Sequence, residues 1–415
     1  MFINNANVAS GKAAITANDG AIAALYENED TVLAGVIEKS VHELTFGNSI
    51  ANRVIFDTDD IKDDAQEAAY KAAYDAAIKA GETETDASTL AKNASDVAGR
   101  NAYDTVMEAA DTAALMGVLG GAFNVALDYN DQVAAALDRR TSALNPAVRG
   151  EVGVTPWVDV FGTANEGKRL YGEGVGYSAD IYGAVLGFDY TASCGGVLGL
   201  AFNVGTADAN SEGLGNKVDN DSDFYGISLY AAKQFGGFNV KADLGYTQAS
   251  NDLSTSGVLG SFKESLDADV WTFGLGTEYV VNAGAFNVMP HAGIRFTSID
   301  LDDSEFVDGA DYDAMGVWQM PLGVAFSGTF ETNGWKIAPM ADVSVVPAFG
   351  DKDAEASFIG GINADVRVVD TNPVQGTLGV NATNGAFTFG LNYRLTAGGD
   401  DRMNNSFNAN LRYAF

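Results

Sequence analysis

The last nine residues alternate without interruption. Phe407, Ala409, Leu411, Tyr413 and Phe415 occupy one set of alternate positions, and Asn408, Asn410, Arg412 and Ala414 the other. Successive strand side chains point to opposite faces, so this stretch reads as a strand with one apolar and one polar face. It closes on an aromatic ring. A water-soluble domain gains little from a large exposed ring there, whereas the closing strand of a membrane barrel gains a lipid-facing aromatic at the interface.

From Val154 onward the whole chain keeps this two-residue period. About twelve strands can be counted, each near the ten residues that a tilted membrane strand needs. The clearest are Tyr225 to Gln234, Phe238 to Thr247, Trp271 to Tyr279 and Phe387 to Thr396. Aromatic residues gather at strand ends, as interfacial girdles require. The links alternate in length. Short turns fall at Ser193 to Gly196, Phe235 to Gly237, Asn282 to Ala285, Glu331 to Gly334 and Ala382 to Gly385. Longer polar loops separate them: Ala164 to Gly176, Ala207 to Asp221, Ser250 to Ser265, Asp300 to Asp313, Pro347 to Pro373 and Ala397 to Asn404. A soluble sandwich also alternates apolar and polar residues, but it does not explain alternating loop lengths. An up-and-down antiparallel transmembrane barrel explains both.

Composition agrees. There are 24 basic and 56 acidic residues, for a formal net charge of -32, which argues against nucleic acid and against a basic patch for anionic lipid. Glycine is abundant at 48 and proline scarce at 7, as strands bent into a barrel require. The single cysteine, Cys194, reads as an incidental thiol in a turn, and His42 and His291 are too far apart in sequence to suggest a metal cluster. No apolar run is long enough for a transmembrane helix. The start, Met1-Phe2-Ile3-Asn4-Asn5, lacks the regions of a signal peptide, so the chain reads as part of a longer precursor.

The first 150 residues differ in character. The stretch to Phe56 shows no firm period. From Ile61, Asp63, Glu67, Lys71, Asp75 and Lys79 recur every four residues, the pattern of a solvated helix face, with Gly81 as its stop. Further helices are expected over Tyr103 to Met116 and Phe123 to Arg140. In the last, Ala122, Val125, Ala126, Tyr129, Val133, Ala136 and Leu137 form one stripe, opposite Asp128, Asp131, Asp138 and Arg139. The expected divisions are 1–120, a passenger remnant or helical spacer; 121–150, a linker helix; and 151–415, the barrel.

Three motifs imitate chemistry. Gly162 to Lys168 has phosphate-loop spacing, but Arg169 replaces the hydroxyl residue and no helix follows. Asp219, Asp221 and Asp223 resemble the start of a calcium loop, yet Phe224 and Tyr230 occupy the positions of its turn glycine and its bidentate Glu. The loop bearing Asp300, Asp302, Asp303, Glu305, Asp308, Asp311 and Asp313 reads as a solvated acidic loop. No enzyme signature and no cofactor site are found.

The closing strand, the first strand Trp157-Val-Asp-Val-Phe161-Gly162, the segment Tyr225-Gly-Ile-Ser-Leu-Tyr230 to Asp243-Leu-Gly-Tyr246 and the helix just upstream together resemble the C-terminal translocator domain of an autotransporter over roughly Ala122 to Phe415. The resemblance implies an outer-membrane barrel that exports or displays its own N-terminal passenger at the cell surface. It implies that the linker helix sits in the lumen, which would place Phe123, Asn124, Asp128, Asn130, Asp131, Asp138, Arg139 and Arg140 there. It implies that Phe407, Ala409, Leu411, Tyr413 and Phe415 are read by the barrel assembly machinery. About twelve strands supply room for one helix, and polar inward residues are expected to hydrate it, with Arg139 and Arg140 pairing to Asp243 or Glu278. Some family members cut the linker with an asparagine. Asn124 and Asn130 lie in the right segment but lack a matching local motif, so an uncut linker is expected. Twelve strands from one chain can close alone, so a monomeric barrel is expected, in contact with outer-membrane lipid. Alternatives are a surface adhesin with a periplasmic helical domain and a passive porin.

Overall fold

The computed structural model describes residues 58–114, 121–144, 152–168, 175–213, 218–257, 260–284, 286–303, 311–358, 362–399 and 402–413. Among the described residues three helices precede a barrel: α1 Thr58–Lys79, α2 Glu84–Ala114 and α3 Ala122–Thr141. The first two form an antiparallel hairpin, in which the Ser95 hydroxyl donates to the Gln66 carbonyl and Ala77, Ala87 and Ala91 are buried. Gly81 ends α1 at φ +91°, and Asp63, Glu67, Lys71, Asp75 and Lys79 are all exposed. The second helix starts at Glu84, well before the expected Tyr103. Its cap explains the start: Thr83 Oγ1 accepts from the Asp86 N–H at 3.2 Å and donates to the Asp86 carboxylate at 2.6 Å. Among the described residues no helix is long and apolar enough to cross a membrane.

Twelve antiparallel strands make the wall. They are β1 Gly153–Gly167, β2 Val175–Thr191, β3 Gly196–Gly213, β4 Val218–Phe235, β5 Phe238–Gly257, β6 Gly260–Tyr279, β7 Phe286–Leu301, β8 in two pieces (Met315–Gln319 and Leu322–Gly328), β9 in two pieces (Trp335–Val345 and Ala348–Gly350), β10 Val374–Asn384, β11 Phe387–Ala397 and β12 Met403–Tyr413. Each strand pairs with its sequence neighbours, and β12 closes on β1 from Trp157↔Arg412 to Glu166↔Met403. The breaks in β8 and β9 fall where Pro321 and Pro347 remove ladder donors. Bonds outside the ladder take over there: Met320 N donates to the Pro347 carbonyl at 2.8 Å and Gly293 N to the Pro321 carbonyl at 2.9 Å.

The strands β3 to β6 are 18 to 20 residues long, about twice the expected ten. The segments read as loops at Ala207 to Asp221 and Ser250 to Ser265 are mostly strand. Their period never fails; only the outward residues change. On β4 the outward side is Asp219, Asp221 and Asp223, then Tyr225, Ile227 and Leu229. On β3 it is Leu198, Leu200, Phe202 and Val204, then Thr206, Asp208, Asn210 and Glu212. The apolar band belongs in lipid and the acidic extension in water. Gly162 to Gly167 likewise lies within β1, and Lys168 pairs with Glu166 at 2.8 Å.

Aromatic pairs border the apolar band on both sides. Near the short turns Phe238 meets Tyr279 and Phe387 meets Tyr413, at centroid distances of 4.5 and 4.8 Å. Near the long loops Tyr246 meets Trp271 at 4.9 Å and Tyr393 meets Phe407 at 4.7 Å. The short turn 192–195 carries exposed Cys194. The long connection after β9 folds into a second sheet, with Asp353–Phe358 pairing to Ile362–Arg367 and to Asp311–Tyr312. Its buried residues Tyr312, Ala354, Ala356 and Val366 join the apolar cluster inside the barrel.

Candidate functional site

The lumen is filled by α3. This helix touches β2 through β7, and seventeen of its twenty residues are buried. Burying a helix inside a barrel takes both its apolar stripe and its charged face out of bulk water, so each side needs its own partners.

The N-terminal part of α3 sits at the long-loop end. Gly121, at φ +70°, approaches the Tyr177 ring so closely that a Cβ there would lie 2.4 Å from it. Phe123, Val125, Ala126 and Tyr129 pack with Phe161, Ile181, Ala207, Phe224, Leu253, Leu266 and Ile299 in one cluster. Tyr129 stacks on Phe224 at 4.1 Å, and its hydroxyl donates to Asn203 Oδ1 at 3.0 Å. Gly205 makes room for that ring: a Cβ there would lie 2.3 Å from it. Beside the expected polar inward residues, this level of the lumen holds an apolar cluster that the sequence reading did not anticipate. Inward positions at this level carry Ile, Leu, Val and Ala among Asn, Ser and Thr such as Asn220, Ser222 and Asn251, so the strands enclose a packed core here.

Several polar residues of this half find partners, though not every buried polar atom does. Asp128 accepts from Arg402 Nη2 at 2.7 Å and Asn404 Nδ2 at 3.0 Å, and Arg402 also bonds the Val368 carbonyl. Asn130 donates to the Ala126 carbonyl at 2.8 Å and accepts from Thr247 Oγ1 at 2.9 Å. Asn124 is buried with its Nδ2 unpartnered.

Toward the short turns the lumen becomes ionic. Arg139 engages Asp159 through Nε and Nη2 at 3.1 and 3.0 Å, and Arg140 engages Asp189 at 2.5 and 2.6 Å. The expected partners Asp243 and Glu278 serve other cations. Arg295 forks onto Asp243 at 2.9 Å, and Lys241 bridges Glu278 at 2.8 Å and Asp138 at 3.2 Å. Which inward acid meets which arginine depends on the height at which the helix stops: α3 ends at Thr141, and just beyond it Ala143 N donates to Glu278 at 2.7 Å. Asn239 Nδ2 bonds the last helical carbonyl, Thr141 O, at 2.9 Å. A relay continues the network: Trp157 Nε1 donates to Tyr230 Oη at 2.6 Å, and Tyr230 donates to Asp189 at 2.9 Å. Asp131 faces Gln319 Nε2 at 3.4 Å.

The residues that sequence reasoning missed are Asp159, Asp189, Tyr230 and Arg402. For Asp159 and Asp189 a signal was present. An acid at an inward position of an otherwise apolar strand is costly inside a membrane unless a cation meets it. On β12, Phe407, Leu411 and Tyr413 face outward with Ala409, while Asn408, Asn410 and Arg412 face the lumen. Phe415 lies outside the described residues.

The comparisons with known proteins agree with this geometry. The autotransporter β-domain family profile matches residues 156–400. The transport unit of autotransporter AIDA-I from Escherichia coli superposes with a TM-score of 0.55 at 15% identity, over 70% of this chain and 99% of that one. The translocator domain of autotransporter NalP from Neisseria meningitidis gives 0.54 at 13% identity, over 72% and 99%. At these identities the likeness is one of fold. No curated protein matches the chain in sequence. With a twelve-strand barrel around a single helix and a family match over most of its wall, this chain belongs to the autotransporter β-domain family and is an outer-membrane translocator barrel.

Proposed function

We propose that the barrel delivers its own N-terminal portion to the cell surface and keeps α3 in the lumen as the trailing linker. The polarity of α3 carries this reading. Its C-terminus leads to β1 at the short-turn end and its N-terminus opens at the long-loop end, beside Tyr177. In an outer-membrane barrel the short turns face the periplasm and the long loops the exterior. Whatever precedes Gly121 therefore departs on the outer side. The outward row Phe407, Ala409, Leu411 and Tyr413, continued in sequence by Phe415, is the segment we assign to recognition by the assembly machinery. The barrel is read as a monomer, since it closes on itself. No catalytic step and no cofactor are assigned to it.

An epitope tag placed near Lys12 tests the reading in intact cells, by antibody binding and protease sensitivity, with a Phe415-deleted chain as the insertion control. Surface exposure is expected. A tag that stays protected until the outer membrane is breached overturns export and leaves an anchor with a periplasmic N-terminal region.

A further inference from the structure

One corner of the ionic half of the lumen is unevenly matched in charge. Arg139, Arg140, Lys241 and Arg295 each engage a carboxylate. Arg412 engages none among the described residues, although it is only 8% exposed and its buried Nε has no hydrogen-bond partner. The charges acting on it are Arg140 and Asp189. Asp189 is already committed to the Arg140 fork and to the Tyr230 hydroxyl. Arg140 Nη1 is itself buried and unpartnered. Two guanidinium groups thus lie near one carboxylate, which only Arg140 engages, and each keeps an unused donor. A buried charge without compensation is costly, and the planar fork of arginine suits oxyanions.

Both arginines line the same cavity, of about 230 Å³, between the alanine face of α3 (Ala134, Ala135) and the wall toward β12. Thr388 and Trp157 are the register partners of Arg412 on β11 and β1. Trp157 has its N–H committed to Tyr230, and so it closes the site without competing for a ligand. Arg394 lines the same cavity away from this pair, where Arg139 opposes its charge and Asp138, Asp131 and Asp342 favour it.

We propose that the part of this cavity lined by Arg140 and Arg412 binds a small oxyanion of phosphate size, admitted from the short-turn mouth. The anion supplies the second negative charge that the arginine pair lacks and ties the end of α3 to the β12–β1 seam. The inference stands independently of passenger export.

Calorimetric titration of inorganic phosphate into the full chain, folded in detergent micelles at constant ionic strength, tests it. One saturable site is expected. Arg412→Gln weakens it by about tenfold or more, the loss of a charge-assisted fork. Arg412→Lys, which keeps the charge and loses the planar fork, gives a smaller loss, and Arg394→Gln leaves binding unchanged. If Arg412→Gln does not fold, as judged by its gel mobility before and after heating, the Lys variant decides. Absence of saturable heat overturns the proposal. So does an equal loss in Arg394→Gln, which would reduce the effect to general screening of lumen charge.

Discussion

The two halves of the lumen hold the same helix by different physics. Near the long loops α3 is seated by packing, with Tyr129 stacked on Phe224 and enclosed by Ile181, Leu253 and Ile299. Near the short turns it is seated by forks and bridges from Arg139, Arg140 and Asp138. The apolar half gains from water exclusion and depends on shape. The ionic half gains orientation, but it must compensate every charge it buries. A linker tied at one end by shape and at the other by charge has a defined depth as well as a defined axis.

The largest expected effect lies in the apolar half. Tyr129→Ala removes a fully buried ring and leaves a cavity, and it is expected to cost about 3–5 kcal/mol, read from urea unfolding in micelles. High salt should leave that loss unchanged. Next is Asp189→Asn, which strands the buried Arg140 charge and is expected to cost about 3 kcal/mol. Adding Arg140→Gln should restore part of it, so a double-mutant cycle over the four proteins should return a favourable coupling. A coupling near zero would mean that the lumen is hydrated enough for the pair not to matter. The smallest effect belongs to Asp138→Asn. Its side chain is 48% exposed, so the bridge to Lys241 should contribute less than about 1 kcal/mol and vanish in molar salt. If Asp138→Asn proves as costly as Tyr129→Ala, the division between the halves fails.

Much of the barrel was legible because period two is a local signal. The strand Phe238 to Thr247 and the turns at Gly236 and Gly385 could be placed from single residues and their neighbours. Strand length was less legible. The outward row of β4 passes from Asp223 to Tyr225 without breaking register, so a reading weighted by hydrophobicity ends the strand where the lipid ends. The start of α2 was missed for a related reason: Thr83 and Asp86 cap an alanine-rich segment whose weak amphipathicity drew no attention. Helix residues that would face a lumen could be named, but not their partners. Pairing Arg140 with Asp189 instead of Glu278 follows from how far the helix descends, a property of the assembled wall. The small sheet of 311–312, 353–358 and 362–367 left no trace in the sequence reading, since its pairing joins two different long loops.

The apolar cluster around Tyr129 also gives the molecule an electrical character. An ion entering from the short-turn mouth finds arginine and carboxylate groups that can replace some of its hydration, and it can advance along them. Above Asn130 it meets Ile181, Val270, Leu266 and Ile299, all within 2% of complete burial, and charge that is already paired, as in Asp128 with Arg402. Leaving water for such surroundings is prohibitive for a bare charge, and apolar constrictions of this kind stop conduction by excluding water. With its helix seated the barrel is expected to insulate, so single-channel recording in a planar bilayer should show no steady conductance until α3 is removed.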